Sequence, residues 1–351
     1  MRHPMQSRRS FLLLAGSAVV SSPLLSQAAG VRRRYSVRRD AWFEWNEVQP
    51  GAFVAIGEGG NALAINTGAE AVLIDAKNAP FGPVIAREAS ERAGGPIKLL
   101  ISTHHHADHT GGNYAFKDAQ KIMFGKALPR IDAQVERYTA QIKAAIDNGV
   151  QKPDDVADAM FVKVSEEIAG LRDRVDALTE KDFRPANALP DFFFGANPLP
   201  IGDIELKLQQ FGAGHTDNDV VVEIPTLNVI HTGDLVFHGM HPYFDPEGGS
   251  NSAEWIKSLE NVEKLCDAET VVVPGHGDVS DVSCVKKQIE YMQQLRETVR
   301  EAVDAGKSKE ETQALRPAFF EGLARGQLGV RALGAVYDEM KRPESERGED
   351  R

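Results

Sequence analysis

Two cysteines in 351 residues, Cys266 and Cys284, exclude a cysteine-built metal cluster, and their spacing is not that of a redox pair. They fall in different expected elements; an oxidising compartment leaves a disulfide open, and two separate thiols are the simpler reading. Positive charge is short as well. With 40 Lys and Arg against 51 Asp and Glu, the net charge of -11 supplies no broad basic footprint for phosphates, so no nucleic-acid partner is expected. Long apolar runs are missing: the stretch from Phe11 to Val20 is short for a bilayer, and no mature transmembrane anchor is expected. No internal repeat of residues is evident. What remains is an acidic chain whose 42% hydrophobic content is ordinary for a globular core, long enough for one large domain or two modest ones.

The first thirty residues differ in character from the rest. Ser7-Arg8-Arg9-Ser10-Phe11-Leu12 leads into an apolar run and then into small residues through Ser26-Gln27-Ala28-Ala29-Gly30. A paired arginine, a moderate hydrophobic region and a small-residue exit form the pattern of a twin-arginine export signal, here residues 1–28. The expectation is a chain handled by the twin-arginine export machinery and placed in the periplasm or otherwise exported. An ordinary secretory peptide or a disordered leader is the plainer alternative.

Beyond the leader, short strands are expected at 53–56, 62–66 and 71–74, separated by glycine-rich turns, followed by a helix at 84–93 and a strand at 98–102. From 129 to 180 the composition turns to alanine, glutamate, lysine and aspartate with apolar positions three or four apart, which predicts a two-helix insertion broken near 149–153. A lid, a dimer arm or plain packing would each account for it. Strands return at 204–209, 220–224, 228–231 and 270–273, with helices at 253–266 and 282–302. A helical extension with a charged tail fills 306–351, after a main domain at 40–305. Strands followed by helices imply an α/β fold with sheets covered by helices.

The densest chemistry lies in Thr103-His104-His105-His106-Ala107-Asp108-His109, at the exit of the strand at 98–102. Imidazoles and carboxylates are ordinary ligands for zinc, iron and related divalent ions, and a site needs three or more to converge. Further donors occur in Gly214-His215-Thr216, Thr232-Gly233-Asp234 and Pro274-Gly275-His276-Gly277. Each stands beside a glycine at or after a strand-like run, a context that places them on one rim. His105, between two donors, is expected to point away from them. His231 is expected to pack or to support. His238, His241 and Tyr243 are candidates for lining a substrate pocket, and Asn113 and Thr216 for bracing the loops.

The order His104-x-His106-x-Asp108-His109, then His215, Asp234 and His276, resembles the metallo-beta-lactamase-fold hydrolase superfamily, over roughly residues 50–300. The resemblance implies an αββα sandwich with two divalent metal ions, zinc in first place, at one edge. It implies that His104, His106 and His215 bind the first metal, that Asp108, His109 and His276 bind the second, and that Asp234 bridges them. A metal-bridging hydroxide would then attack a small ester, lactone or amide, with Asp108 as the catalytic residue that orients it. The same resemblance allows beta-lactam, thioester or small phosphodiester substrates, or a non-enzymatic accessory protein that keeps the metals. It weighs against a beta-lactamase in one respect, since those enzymes often carry cysteine or serine where Asp234 stands. A diiron oxidoreductase is disfavoured because no flavin domain is evident. Trp42, Phe43, Trp45 and Phe192-Phe193-Phe194 are offered either as a hydrophobic substrate wall or as core.

Overall fold

Alternation of side chains along short strands builds two sheets with their larger aliphatic residues facing each other. The computed structural model describes residues 36–38, 41–68, 70–187, 194–195 and 198–342; the expected export signal lies outside them. The first sheet holds, in spatial order, β1 (Ser36–Arg38), β2 (Glu44–Gln49), β3 (Ala52–Ile56), β4 (Ala62–Asn66), β5 (Ala71–Ile74), β6 (Ile97–Ile101) and β7 (Gln120–Ile122). It is antiparallel as far as β5, and β5, β6 and β7 run parallel. The second sheet runs β8 (Leu199–Ile201), β9 (Ile204–Gln209), β10 (Val221–Ile224), β11 (Val229–His231) and β12 (Val271–Val273), with β11 and β12 parallel and the other pairs antiparallel. Leu63, Ile65, Val72 and Ile74 of the first sheet meet Leu206, Leu208, Val222 and Val273 of the second in one apolar layer.

Helices cover the outer faces. Ala62, Ala64 and Leu73 point the other way along the same strands, and the small alanines let Val84, Ile85 and Ala89 of α1 (Gly82–Ala93) pack close. Behind α2 (Ala107–Thr110) the insertion supplies α3 (Leu128–Asn148), α4 (Asp158–Ala169) and α5 (Glu180–Phe183). On the second sheet, Val221, Ile230 and Val272 carry α6 (Ser252–Leu265) and α7 (Val282–Asp304) through Trp255, Leu259, Met292 and Leu295. After α8 (Lys309–Gln313), α9 (Gly326–Lys341) joins the same cluster through Leu333 and Val336. This is an αββα sandwich with inserted and C-terminal helices, as the family resemblance implied. No helix of the described residues is long and apolar enough to cross a membrane.

Differences from the expectation have local causes. Strands β1, β7 and β8 have three residues each, too few for an alternation to register, and β2 carries a register shift between Glu47 and Gln49 that breaks its pattern. The C-terminal region is not one helix, because Pro317 lacks the amide hydrogen a helix interior needs and a turn at Ala318–Phe320 intervenes. Trp42, Phe43 and Trp45 are buried in the core, and Trp42 stacks on Phe81 and Phe161 at 5.9 and 6.4 Å. Phe194 packs against Phe124, and Phe192 and Phe193 lie outside the described residues.

The aromatic corner depends on one buried carboxylate. Glu88, 1% exposed, accepts hydrogen bonds from the backbone N–H of Trp42 at 2.9 Å and of Phe43 at 3.3 Å, and from the Trp45 indole at 2.9 Å. Removing it would leave these buried donors without a partner. We expect Glu88→Ala to lower the unfolding free energy by about 3 kcal/mol, and Glu88→Gln by clearly less, in urea titrations. A loss below about 1 kcal/mol for the alanine variant would rule out this carboxylate as an anchor of the fold.

Candidate metal centre

Loops leaving the C-terminal ends of β5, β6, β9, β11 and β12 gather at one edge of the sandwich and carry every candidate donor. Backbone bonds tie those loops together: Val220 N–H donates to the Thr103 carbonyl at 2.7 Å, and Gly60 N–H to the Asp108 carbonyl at 3.0 Å. Asn61 is a knot between the sheets. Its backbone N–H donates to Gly275, its side-chain amide to the carbonyls of Pro274 and Gly277, and its own carbonyl accepts from His231 Nε2 at 3.1 Å. His231 is therefore held at both ring nitrogens, since Nδ1 accepts from Gly233 N–H, and it supports the centre without facing it.

The structure brings all seven sequence-nominated donors together. His104, His106, His215 and Asp234 form one group and Asp108, His109 and His276 another, with the ligand-capable atoms of each group within 4.8 Å of one another. Asp234 stands between the groups: Oδ2 is 3.4 Å from both His215 Nε2 and His276 Nε2, and Oδ1 is 3.1 Å from His109 Nε2. Asp108 Oδ2 lies 3.2 Å from His276 Nε2. Close approach needs two residues without side chains. A Cβ on Gly60 would sit 2.0 Å from the His109 ring, and one on Gly275 would sit 1.9 Å from Asp234 Oδ1.

Support residues fix which nitrogen of each imidazole faces inward. Asp75, fully buried at a left-handed φ of 63°, accepts from Thr103 N–H at 2.8 Å and from Thr103 Oγ1 at 2.8 Å, and faces His109 Nδ1 at 2.7 Å. Thr103 Oγ1 in turn lies 3.0 Å from His104 Nδ1. The chain balances when both histidines carry a proton on Nδ1, which turns the two Nε2 atoms toward the cluster. His215 Nδ1 donates to the Tyr243 carbonyl at 2.8 Å, again presenting Nε2. His106 is reversed: Nε2 donates to Asp245 Oδ2 at 2.8 Å, and Nδ1 faces His215 Nε2 at 2.8 Å.

These groups fit a pair of divalent cations. His104 Nε2 is buried with no hydrogen-bond partner, and the buried His109 Nε2 and Asp234 Oδ1 face each other at 3.1 Å without completing a well-formed hydrogen bond, an arrangement that costs free energy unless something else occupies the space they face. Electrostatics point the same way. Burial pushes the His215 pKa down to about 3, and burial together with the neighbouring imidazoles holds His104 well below its usual range. Burial opposes charge on His276 and His109 as well, but Asp234 and the other carboxylates outweigh it, raising His276 to about 9 and His109 well above normal. Asp108 and Asp234 stay ionised beside those imidazoles in spite of burial. Nitrogen and oxygen donors without thiolate suit zinc, iron or manganese.

Sequence reasoning missed Asp75 and Asp245, which hold His109 and His106, and Asp219, whose carboxylate accepts from Thr216 N–H at 2.9 Å and Oγ1 at 2.7 Å. A lone aspartate in a loop carries no spacing signal. His105, expected to point away from the donors, stays beside them: its backbone and Nδ1 face Asn218, and its Nε2, 3.5 Å from Asp245, forms a third group of ligand-capable atoms with His106 and Asp245. Asn113 bonds Ser102 and the Phe183 carbonyl, tying the loop to the insertion. Of the pocket candidates, Tyr243 lines the cleft over the centre, whereas His238 bonds the Asp278 carbonyl and His241 the Tyr291 hydroxyl elsewhere. That cleft encloses about 680 Å³. One wall is α3, anchored to the centre by Tyr138 on Thr110 Oγ1 at 2.8 Å and by Gln134 on the His105 carbonyl at 2.8 Å.

The family described as the metallo-beta-lactamase superfamily matches residues 55–276. The type 2 metallo-beta-lactamase of Bacillus cereus is 25% identical over 241 residues, covering 68% of this chain and 74% of the relative. That of Bacillus sp. strain 170 is 24% identical over 238 residues, with coverage of 68% and 74%. Among solved structures, a double mutant of the sec-alkyl sulfatase PisA1 superposes with a TM-score of 0.59 at 16% identity, over 85% of this chain and 50% of that one, a likeness of fold. With the matched segment running from β3 to His276 and containing all seven clustered donors, the chain belongs to the metallo-beta-lactamase superfamily.

Proposed function

We propose that this chain is a metal-dependent hydrolase of a small ester, lactone or amide, with two divalent ions, zinc in first place, as its cofactors. The observation that carries this reading is the convergence of seven donors, among which four imidazoles, His104, His106, His109 and His215, have their outward ring nitrogens already engaged by Thr103, Asp245, Asp75 and the Tyr243 carbonyl. In it, His104, His106 and His215 hold one ion, Asp108, His109 and His276 the other, and Asp234 serves both. Bound ions of this kind supply a water made acidic enough to ionise near neutral pH and a positive field that polarises the substrate carbonyl.

The chain's own residues would do the rest. Asp108, with a third of its side chain exposed, is the most open carboxylate of the centre and is placed to orient the attacking water through its free oxygen. Phe237, Met240 and Tyr243 offer an apolar wall for the rest of the substrate and keep bulk water from the reacting bond. The names of the two Bacillus relatives support a beta-lactam as a second reading, against which stands the aspartate at position 234. Export through the twin-arginine route belongs to the same proposal and rests on the sequence of residues 1–30.

The first test is turnover by the full chain across lactones, aryl esters, beta-lactams, thioesters and phosphodiesters, with metal content measured on the same sample. Turnover that vanishes on chelation and returns with zinc is the expected result; two bound metals with no turnover of any class would move the chain to an accessory role. Asp234→Ala should lower metal stoichiometry from two toward one without unfolding the protein, and unchanged stoichiometry would remove Asp234 from between the metals. Asp75→Ala should weaken metal affinity about 10- to 100-fold in chelator competition, because His109 loses the partner that aims it; parental affinity would remove that role. Proton linkage gives a further check. His276, raised to about 9 by Asp234 and Asp108, carries a proton near pH 7, and the same carboxylates hold His109 above its usual range; both must present an unprotonated nitrogen to ligate. Metal loading at pH 7 should therefore release protons, and affinity should weaken as pH falls. Calorimetry in buffers of different ionisation enthalpy reads this directly, and loading without proton release would contradict it.

A further inference from the structure

Above the metal centre the cleft is lined by guanidinium groups from segments that the chemistry described so far does not use. Arg130 and Arg137 are two turns apart on α3, with Ala133 and Gln134 between them on the same cleft-facing side. Arg130 is engaged in a two-pronged ion pair with Asp217. Arg137 has no hydrogen bond or ion pair among the described residues, nor has the side chain of Arg325, which lines the cleft from the start of α9. Arg325 lies outside the family-matched segment, and Arg137 belongs to the helical insertion.

Arg325 is held in place at a cost. Its backbone is left-handed, with φ 58° and ψ 49°, a conformation uncommon for a side chain other than glycine, asparagine or aspartate. Two backbone bonds strap the preceding residue to the loop that follows Asp234: Ala324 N–H donates to the Gly239 carbonyl and His241 N–H to the Ala324 carbonyl, both at 3.1 Å. The C-terminal extension thus delivers a cation to the cleft from a backbone fixed there. Of the acidic groups on the outer cleft, Asp245 is taken by His106 and Asp217 by Arg130, leaving Glu247. Tyr243 lines the same cleft, with Asp245 and Glu247 as well as Arg137 and Arg331 near its hydroxyl.

We propose that Arg137 and Arg325 form an anion-binding rim that selects a substrate with a carboxylate separated by a short apolar segment from the bond to be cut. This rests on the hydrolase reading for the reacting bond, and the rim itself rests on the two free guanidiniums. The acidic net charge of the protein makes a cationic rim at the cleft selective by contrast, because an anion is repelled elsewhere on the surface. The apolar segment would lie along Phe237, Met240 and Leu328.

The test compares two matched esters on the metal-loaded full chain, the mono-4-nitrophenyl ester of glutaric acid and 4-nitrophenyl pentanoate. The parent should prefer the charged ester, and the preference should shrink as salt is raised. In the R137A/R325A double variant the ratio of kcat/KM values should fall about tenfold, through KM rather than kcat, the size expected for two exposed charge pairs. No preference in the parent, or an equal loss for both esters in the variant, overturns the rim. Should neither ester turn over, which counts against the hydrolase reading, calorimetric binding of glutarate to the same two proteins decides: weaker binding by the double variant upholds the rim, and equal affinity overturns it.

Discussion

A cluster of seven proton-binding side chains at one sheet edge is the constraint around which this molecule is organised. Alone, such a cluster is unstable, since burial disfavours charge on imidazole and carboxylate alike while each carboxylate draws a proton onto the imidazole beside it. The opposed shifts of His215 and His276, one driven down by burial and the other held up by carboxylates, are that conflict expressed in two residues of the same site. A divalent ion would resolve it by replacing the protons with a charge that every donor can share. Much of the local structure holds the donors close in the manner such an ion would need.

Rigidity comes from backbone more than from side-chain packing. Parallel strands β5 and β6 end side by side, as do β11 and β12, so four loops begin from one rim with their spacing already set by ladder hydrogen bonds. Asn61 and the Val220 to Thr103 bond then cross from one sheet to the other. Glycines at 60 and 275 give the room that lets His109 and Asp234 approach. Asp75 reaches two histidines at once, directly to His109 and through Thr103 to His104, so one buried carboxylate sets the inward nitrogen on both sides of the centre. The same economy explains why Asp75 tolerates a left-handed backbone.

Variation is carried by what surrounds this core. The insertion and the C-terminal extension each contribute a wall of the cleft, and neither supplies any of the seven donors. Separation of this kind lets bond chemistry stay with the sandwich while the shape and charge of the cleft are set by added helices. The interlock of Tyr138 with Thr110, and of Ala324 with the loop after Asp234, shows how closely the added parts are fastened to the centre.

The sequence by itself determined the donor set and most of the strands and helices of the sandwich. Donors were legible because ligands must be particular residue types, and four of the seven fall within six positions; the central strands were legible because burial on both faces leaves an apolar run bounded by turns. Tertiary structure decided the rest. Three-residue edge strands carry too little pattern to be seen, and Trp42, Phe43 and Trp45 read equally as wall or core until Glu88 is found bonding all three. Asp75, Asp245, Arg137 and Arg325 have meaning only through neighbours 34, 139 and more residues away, or through a cleft assembled from distant segments. A charged side chain takes its role from what faces it, and that pairing is made by the fold.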